Sequence, residues 1–415
     1  MNTELLGAAC ESANVPGAVV AIATAGDMDV SAWGVASSAT SEPFTAAHQF
    51  PPMSIVKSMT AALIAGLNRS GDLSLESAVA DVLPGVAGDE WAQRVTVDHL
   101  LACTGGMSAF HFPDTGETDD AVAKFAETLG DPTLLFAPGT RFSYSNTSFS
   151  VLAAIAEAVT GRVYDDLVAD SIFRPASMTD SGSWYRREPA LPVDQHLVAP
   201  DGTVMPIGWW RLRSNGGAGA GTIFTTAADL AQYGRWHVTA WPELRQPQTE
   251  FPGPHAEAWG RGWALYGWGA GVFGWDGFAP AGRAFLRVFP EHDAAVALFA
   301  NGAGGRLVYR DVISAVAREY FGVTPAPETW ATDTTEPDRG SAGSIAGTYT
   351  NGLATVTITP TGDGYALQDS MGRGFPLRPV GPDRFVTPDE FEYPTVEFIE
   401  PDLLSYFCSV WRRTG

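Results

Sequence analysis

Apolar runs at 17–24 and 30–35 flank a Gly-Asp turn, a pattern that predicts a hairpin of two short strands. A second strand pair is predicted late in the chain, at 284–289 and 294–299 around a Pro-Glu-His-Asp turn. After it, Leu307, Val312, Ile313, Val316, Ala317 and Tyr320 recur at helical spacing over 306–321. Between the two pairs the patterning is helical, at 58–67, 97–101, 119–129, 148–159, 164–169 and 227–236. Strands at both ends of a long helical stretch predict one antiparallel sheet assembled from both ends of an α/β domain, with a large helical insertion. Residues 324–341, rich in Pro, Thr and acidic residues without periodicity, read as a solvated linker. Beyond them, alternating runs at 355–359, 365–368 and 395–399 predict a small β-sheet or barrel. The expected organisation is therefore a domain at 1–323, a linker, and a β-rich domain at 342–415.

Charge narrows the partners. With 47 acidic residues against 25 basic ones, a net charge of −22 repels phosphate backbones and anionic membrane surfaces, so neither nucleic acid nor membrane is expected. The 45% hydrophobic content against 17% charged residues is that of a folded chain. No apolar run reaches 18 residues, and the start lacks the basic and apolar regions of a secretory signal, so a soluble, cytoplasmic protein is expected. Cys10, Cys103 and Cys408 are odd in number and far apart, which predicts free thiols in a reducing compartment. The seven histidines never fall at metal spacing; His99, inside an apolar run, reads as structural, and no metal or cofactor is expected. The glycine-rich run 216–221 lacks the Gly-Lys-Ser/Thr of a phosphate loop, and there is no Gly-x-Ser-x-Gly elbow.

The basic residues divide unevenly, into 23 arginines and two lysines, Lys57 and Lys124. Lys57 follows Ser54 by three residues at the opening of an apolar helix, a spacing that puts both on one face. An amine beside a hydroxyl can take its proton, and a helix N-terminus favours the charge that develops. Guanidinium cannot do this chemistry, so a lysine kept here among arginines points to proton transfer. Lys124, on a polar helix face, reads as solvated. Tyr144 and Asn146 form a Tyr-x-Asn triplet that by itself reads as a turn with a capping Asn. In a pocket, the phenol would carry protons with a pKa lowered by a nearby cation, and the amide would donate hydrogen bonds.

In this order and spacing, the two motifs resemble those of the serine β-lactamase and penicillin-binding-protein superfamily. Its class C-related branch also contains family VIII esterases, D-aminopeptidases and penicillin-binding-protein-type thioesterases. Residues 95–106, VTVDHLLACTGG, resemble the family's ITIRHLLTHTSG, and 137–146, APGTRFSYSN, its PGTRFSYSN. Residues 172–178, IFRPASM, resemble IFRPLGM, and 221–230, GTIFTTAADL, resemble GGLVSTAADL. The likeness spans about 300 residues. It implies a β-lactamase/transpeptidase-like domain and, for 342–415, a lipocalin-like barrel of the kind that can lean over the active site in relatives. It also implies Ser54 as nucleophile, Lys57 and Tyr144 as the acid/base pair, and Asn146 as a partner of substrate or lysine.

The third motif departs from the family. Where Lys-Thr-Gly or His-x-Gly is usual, residues 273–278 read Phe-Gly-Trp-Asp-Gly-Phe, so Trp275 replaces the cation. The loss weakens a β-lactamase assignment and suits Trp-x-Gly esterases. The resemblance further implies an oxyanion hole from the backbone N–H groups of Ser54 and Phe278, with Trp275 and Gly277 shaping the strand. Two additions come from the residues themselves. The Trp209-Trp210 pair is expected to line an apolar acyl-binding wall, and Arg412 or Arg413 to supply the anion contact that Trp275 cannot. The expected reaction is acyl transfer from a carboxylic ester, amide or thioester, peptide or small molecule, through Ser54. Hydrolysis is the default, with transfer to an amine, including peptide cyclisation, as the alternative. A non-catalytic peptide- or wall-fragment binder is the competing class, opposed by the intact motifs.

Overall fold

The computed structural model describes residues 3–130, 134–199, 202–208, 211–212, 214–327, 345–352, 354–362, 364–370, 372–381, 383–387, 395–400 and 402–414. The part of the chain before the linker is organised by a nine-stranded antiparallel sheet. The central order is Met28–Ser37, Gly17–Ala23, Ala294–Ala300, Gly282–Phe289, Phe273–Ala279, so the N-terminal hairpin pairs directly with the late meander, Ile22 opposite Val296. Strands 17–23 and 294–300 are buried at every position, and both read as unbroken apolar runs because both faces of the sheet are covered. The alternation of strand 282–289 shows by what. Leu286 and Val288 approach Gly234 of the helix Ala227–Ala240, whereas Phe285 stacks on Tyr309 of the helix Gly305–Phe321, so the two helices cover opposite faces.

The insertion is built round two long helices, Val56–Ser70 and Asn146–Thr160, each closed by a left-handed glycine, Gly71 and Gly161. Residues 56–65 are buried on all sides, and the polar ones among them, Lys57, Ser58 and Thr60, are hydrogen-bonded.

The C-terminal segment is a closed barrel of eight strands, Gly347–Asn351, Ala354–Thr361, Gly364–Asp369, Gly374–Pro379, Arg384–Val386, Thr395–Glu400, Leu403–Tyr406 and Ser409–Thr414. Each strand pairs with the next, and the last returns to the first, Arg412 opposite Thr350, so no edge is left open. Alternate residues, among them Val356, Ile358, Leu367, Leu404 and Trp411, fill its interior. Most of the expected linker lies outside the described residues. Cys10, Cys103 and Cys408 are buried free thiols, and among the described residues no helix is long and apolar enough to cross a membrane.

Candidate active site

Ser54 sits in a 3-10 turn, Met53–Ile55, that runs straight into the helix Val56–Ser70. Met53 has φ of 51°, a left-handed conformation that costs a non-glycine residue roughly 1 kcal/mol or more. Strand 273–279 presses against this turn. Gly277 lies so close to the Pro52 carbonyl that a Cβ would overlap it, which is why the strand carries glycine there. One helical turn past Ser54, Lys57 is 0% exposed. Its Nζ lies 3.0 Å from Ser54 Oγ, 2.7 Å from Asn146 Oδ1 and 3.4 Å from the Ala220 carbonyl. Burial disfavours the ammonium and lowers its pKa from 10.5 to about 7, so the neutral amine is well populated at neutral pH.

Asn146 opens the helix Asn146–Thr160. The cap is Ser145, whose hydroxyl accepts from Ser148 N at 3.1 Å, and not Asn146 as the triplet alone suggests. Relieved of capping, the Asn146 amide is available to Lys57. Tyr144, also buried, shares the cavity wall with Ser54 and accepts the indole N–H of Trp275 at 3.1 Å. Its phenol departs from the sequence-based expectation of a lowered pKa. Burial among Trp259, Trp275 and Phe142 outweighs the nearby hydrogen bonds and pushes it well above the ordinary value, so Tyr144 is a neutral hydroxyl.

The strand that carries Trp275 serves two faces. Trp275 is 2% exposed and packs on Tyr144 and Trp259, with ring centroids at 5.2 and 4.7 Å. The next residue, Asp276, meets Arg287 Nη1 at 2.6 Å and His255 Nε2 at 3.3 Å. Arg287 in turn donates to the Tyr309 hydroxyl at 2.7 Å. Burial alone would raise the Asp276 pKa, but the Arg287 and His255 charges and hydrogen bonds outweigh it and hold the carboxyl far below the usual range.

The barrel enters the site through the turn between its last two strands. Tyr144 N donates to Cys408 O at 2.9 Å, Ser409 Oγ donates to Tyr144 O at 2.8 Å, and Val410 N donates to Ser143 Oγ at 3.0 Å. Asn351, fully buried, accepts from Ala109 N and donates to Val410 O. The turn residues Phe407 and Cys408 have φ of 53° and 58°, and the Phe407 ring meets Phe278 edge-on at 5.4 Å.

A cavity of about 360 Å³ joins these parts, lined by Ser54, Tyr144, Asn146, Trp275, Phe278, Phe110, Phe112, Leu212, Phe407 and Cys408. Of the residues singled out from sequence, Ser54, Lys57, Tyr144, Asn146, Trp275, Gly277 and Phe278 are brought together here. Arg412 is not. Its guanidinium donates to the Leu135 carbonyl beside a different cavity, with Arg141 and Glu400, and Arg413 donates to the Ala346 carbonyl. Alternation along the last strand sends Trp411 into the barrel and Arg412 outward, and Arg413 is held beside the Tyr349 ring. Trp209 and Trp210 lie outside the described residues. Phe407, Cys408, Phe110 and Ala220 were not singled out as site residues. The first two had one signal, a two-residue turn without the Asn or Gly that positive φ favours. Among the described residues no group of three or more metal-ligating side chains occurs.

The chain is 31% identical over 357 residues to penicillin-binding protein 4 of Amycolatopsis lactamdurans, covering 81% of this chain and 93% of that protein. It is 32% identical over 173 residues to a D-aminopeptidase of Cereibacter sphaeroides (strain KD131 / KCTC 12085), covering 39% and 32%. Among solved structures, SurE superposes with a TM-score of 0.80 at 25% identity over 99% of this chain and 98% of that one, and SurE with D-Leu with 0.78. The octameric penicillin-binding protein homologue from Pyrococcus abyssi, at 19% identity, shares the fold with a TM-score of 0.67 over 99% of this chain and all of that one. The family model described as Beta-lactamase matches residues 3–318, and the chain belongs to that family.

Proposed function

We propose that the protein forms an acyl-enzyme on Ser54 from an ester, amide or thioester whose reacting residue is apolar and D-configured, and that water resolves it. The observation that carries this reading is the buried Lys57 amine, 3.0 Å from Ser54 Oγ with a pKa near 7. Ser54 Oγ attacks the carbonyl carbon and its proton passes to Lys57. As the tetrahedral intermediate collapses, Tyr144 gives its proton to the leaving group and is reprotonated from Lys57. The same groups run in reverse for the incoming nucleophile. Backbone N–H groups of Ser54 and Phe278 are assigned to the developing oxyanion, with Gly277 allowing the close approach.

The cavity supports the substrate class. Its described lining holds neither lysine nor arginine, and the overall charge is −22, so an anionic acyl group would find little to hold it. The D-configuration is taken from the relatives, a D-aminopeptidase and SurE with D-Leu. A second reading, transfer to an amine instead of water, is supported by the aromatic lining, which offers water few polar partners. The 342–415 segment is read as a lipocalin-like module that walls the site.

The test is direct. Incubate wild type and Ser54→Ala with p-nitrophenyl esters of N-acylated D- and L-Leu and with a fluorophosphonate, and follow adducts by intact mass. A Ser54-dependent adduct favouring D-Leu is expected, and adding amines measures aminolysis against hydrolysis. No adduct and no turnover would leave the peptide-binding reading. Nitrocefin turnover at ordinary β-lactamase rates would contradict the reading that Trp275, in place of a cation, disfavours β-lactam hydrolysis.

A further inference from the structure

The cavity beside Arg412 shares no lining residue with the one beside Ser54. It measures about 500 Å³ and straddles the seam between the two parts of the molecule, with Leu135, Phe136 and Arg141 on the insertion side and Glu400, Asp402, Leu403 and Arg412 on the barrel side. Two of its four charged groups answer each other, since Arg141 is ion-paired with Glu400. The other two do not. Arg412 is half-buried and gives one N–H to the Leu135 carbonyl, but its buried Nε has no acceptor, and among the described residues no carboxylate lies within ion-pair distance of it. Asp402, exposed at the start of the preceding strand, has no cation beside it among those residues, although it directly precedes Leu403, the residue paired with Arg412 across the barrel. One positive and one negative group, on neighbouring strands, thus line a single cavity without a counter-ion.

A half-buried guanidinium without an anion is costly, and a carboxylate placed against it recovers charge-assisted hydrogen bonds. A simple anion would nevertheless meet Glu400, Asp402 and an overall charge of −22. A zwitterion brings no net charge into that field, and its ammonium answers Asp402. Leu135, Phe136 and Leu403 form one apolar cluster with Val410 and give the cavity a floor that suits an aliphatic side chain. We propose that this cavity binds a free α-amino acid with an apolar side chain, its carboxylate on Arg412, its ammonium on Asp402 and its side chain on that floor. The site lies outside the acyl-transfer reaction and stands without it. Its place in the fold has a consequence for Tyr144. Val410 N donates to Ser143 Oγ and Ser409 Oγ to the Tyr144 carbonyl, so an occupant that grips both sides tightens the seam holding the Tyr144 backbone.

The test is calorimetric titration of the full Ser54→Ala chain with D-Leu and L-Leu at fixed ionic strength, beside N-acetyl-leucine, which keeps only the carboxylate, and leucinamide, which keeps only the ammonium. At least one leucine enantiomer should bind at one site and, at about ten times its Kd, raise Tm by a degree or two. Each single-charge analogue should bind at least about tenfold more weakly. Asp402→Asn and Arg412→Gln should each weaken leucine by about tenfold or more and leave Ser54 acylation by a p-nitrophenyl ester without leucine unchanged. Should Arg412→Gln disturb the seam through the Leu135 carbonyl, the exposed and isosteric Asp402→Asn still decides. Wild type already carrying a fluorophosphonate on Ser54 should bind leucine as before. No binding of either enantiomer at about 10 mM, equal binding of the analogues, or full binding by Asp402→Asn overturns the site. So does loss of binding on the Ser54 adduct, which would put leucine in the other cavity. If wild type forms no Ser54 adduct, the acyl-enzyme reading falls, and the titration of Ser54→Ala still decides this one.

Discussion

The two walls of the cavity are built on different terms. On one side, the nucleophile helix and the Trp275 strand carry buried titratable groups, Lys57 and Asp276, each held by partners at 2.6–3.0 Å, Asp276 by Arg287 of the neighbouring strand. On the other, the barrel contributes three hydrogen bonds to the chain at Ser143 and Tyr144 and two turn residues, Phe407 and Cys408. The first wall depends on the identity of its side chains, because burying a charge is tolerable only with its own partner present. The second depends on where the backbone runs and on how much apolar bulk the turn presents. Chemistry should therefore fail when the first wall is altered, and selectivity should drift when the second is.

The largest effect expected is at Lys57. Lys57→Arg and Lys57→Ala should lower the rate of Ser54 acylation by about 10³-fold or more, measured as burst amplitude with an activated ester, since guanidinium stays protonated. Arginine restoring even a tenth of the rate would break the comparison. Next is Asp276→Ala, which leaves Arg287 buried without its carboxylate. A loss of about 3–5 kcal/mol in unfolding free energy is expected by denaturant titration. Phe407→Ala should raise KM for apolar acyl groups by about tenfold with kcat nearly unchanged, because its ring closes the wall against Phe278. Equal losses in kcat would mean that the turn takes part in chemistry. Smallest is Cys408→Gly, which removes a side chain from a left-handed position. The strain relief of about 1 kcal/mol is opposed by the loss of a buried thiol and by the added freedom of the unfolded chain, so Tm should move by no more than about a degree, with acylation kept.

The same contrast explains what could be read from the sequence. Ser54 and Lys57 were legible because a helix fixes a three-residue spacing on one face, and the paired strands because a covered sheet writes itself as apolar runs. By itself the Tyr-x-Asn triplet suggests a capping Asn, and only the resemblance points Asn146 to the lysine; the helix starts two residues before its apolar periodicity does, so Ser145 holds the end and Asn146 accepts from Lys57. Arg412 was placed at the pocket on charge need alone. Strand alternation sends Trp411 into the barrel and Arg412 outward to Leu135. The Tyr144 pKa went the wrong way because its environment is made by Trp259 and Trp275, more than 100 residues away. Phe407 and Cys408 left little local trace, since what brings them to Ser54 is closure of a barrel about 350 residues further on.

The scarcity of lysine also has a practical side. Lys57 is sealed inside the protein, and Lys124 is half exposed and ion-paired with Asp120 at 2.7 Å. Succinimidyl dyes and surface-coupling reagents therefore meet a single accessible side-chain amine. Apart from the α-amino group, coupling is thus confined to one defined position, and Lys124→Arg would leave the exterior without a reactive lysine, so that any residual labelling of a lysine would report on the opening of the Ser54 cavity.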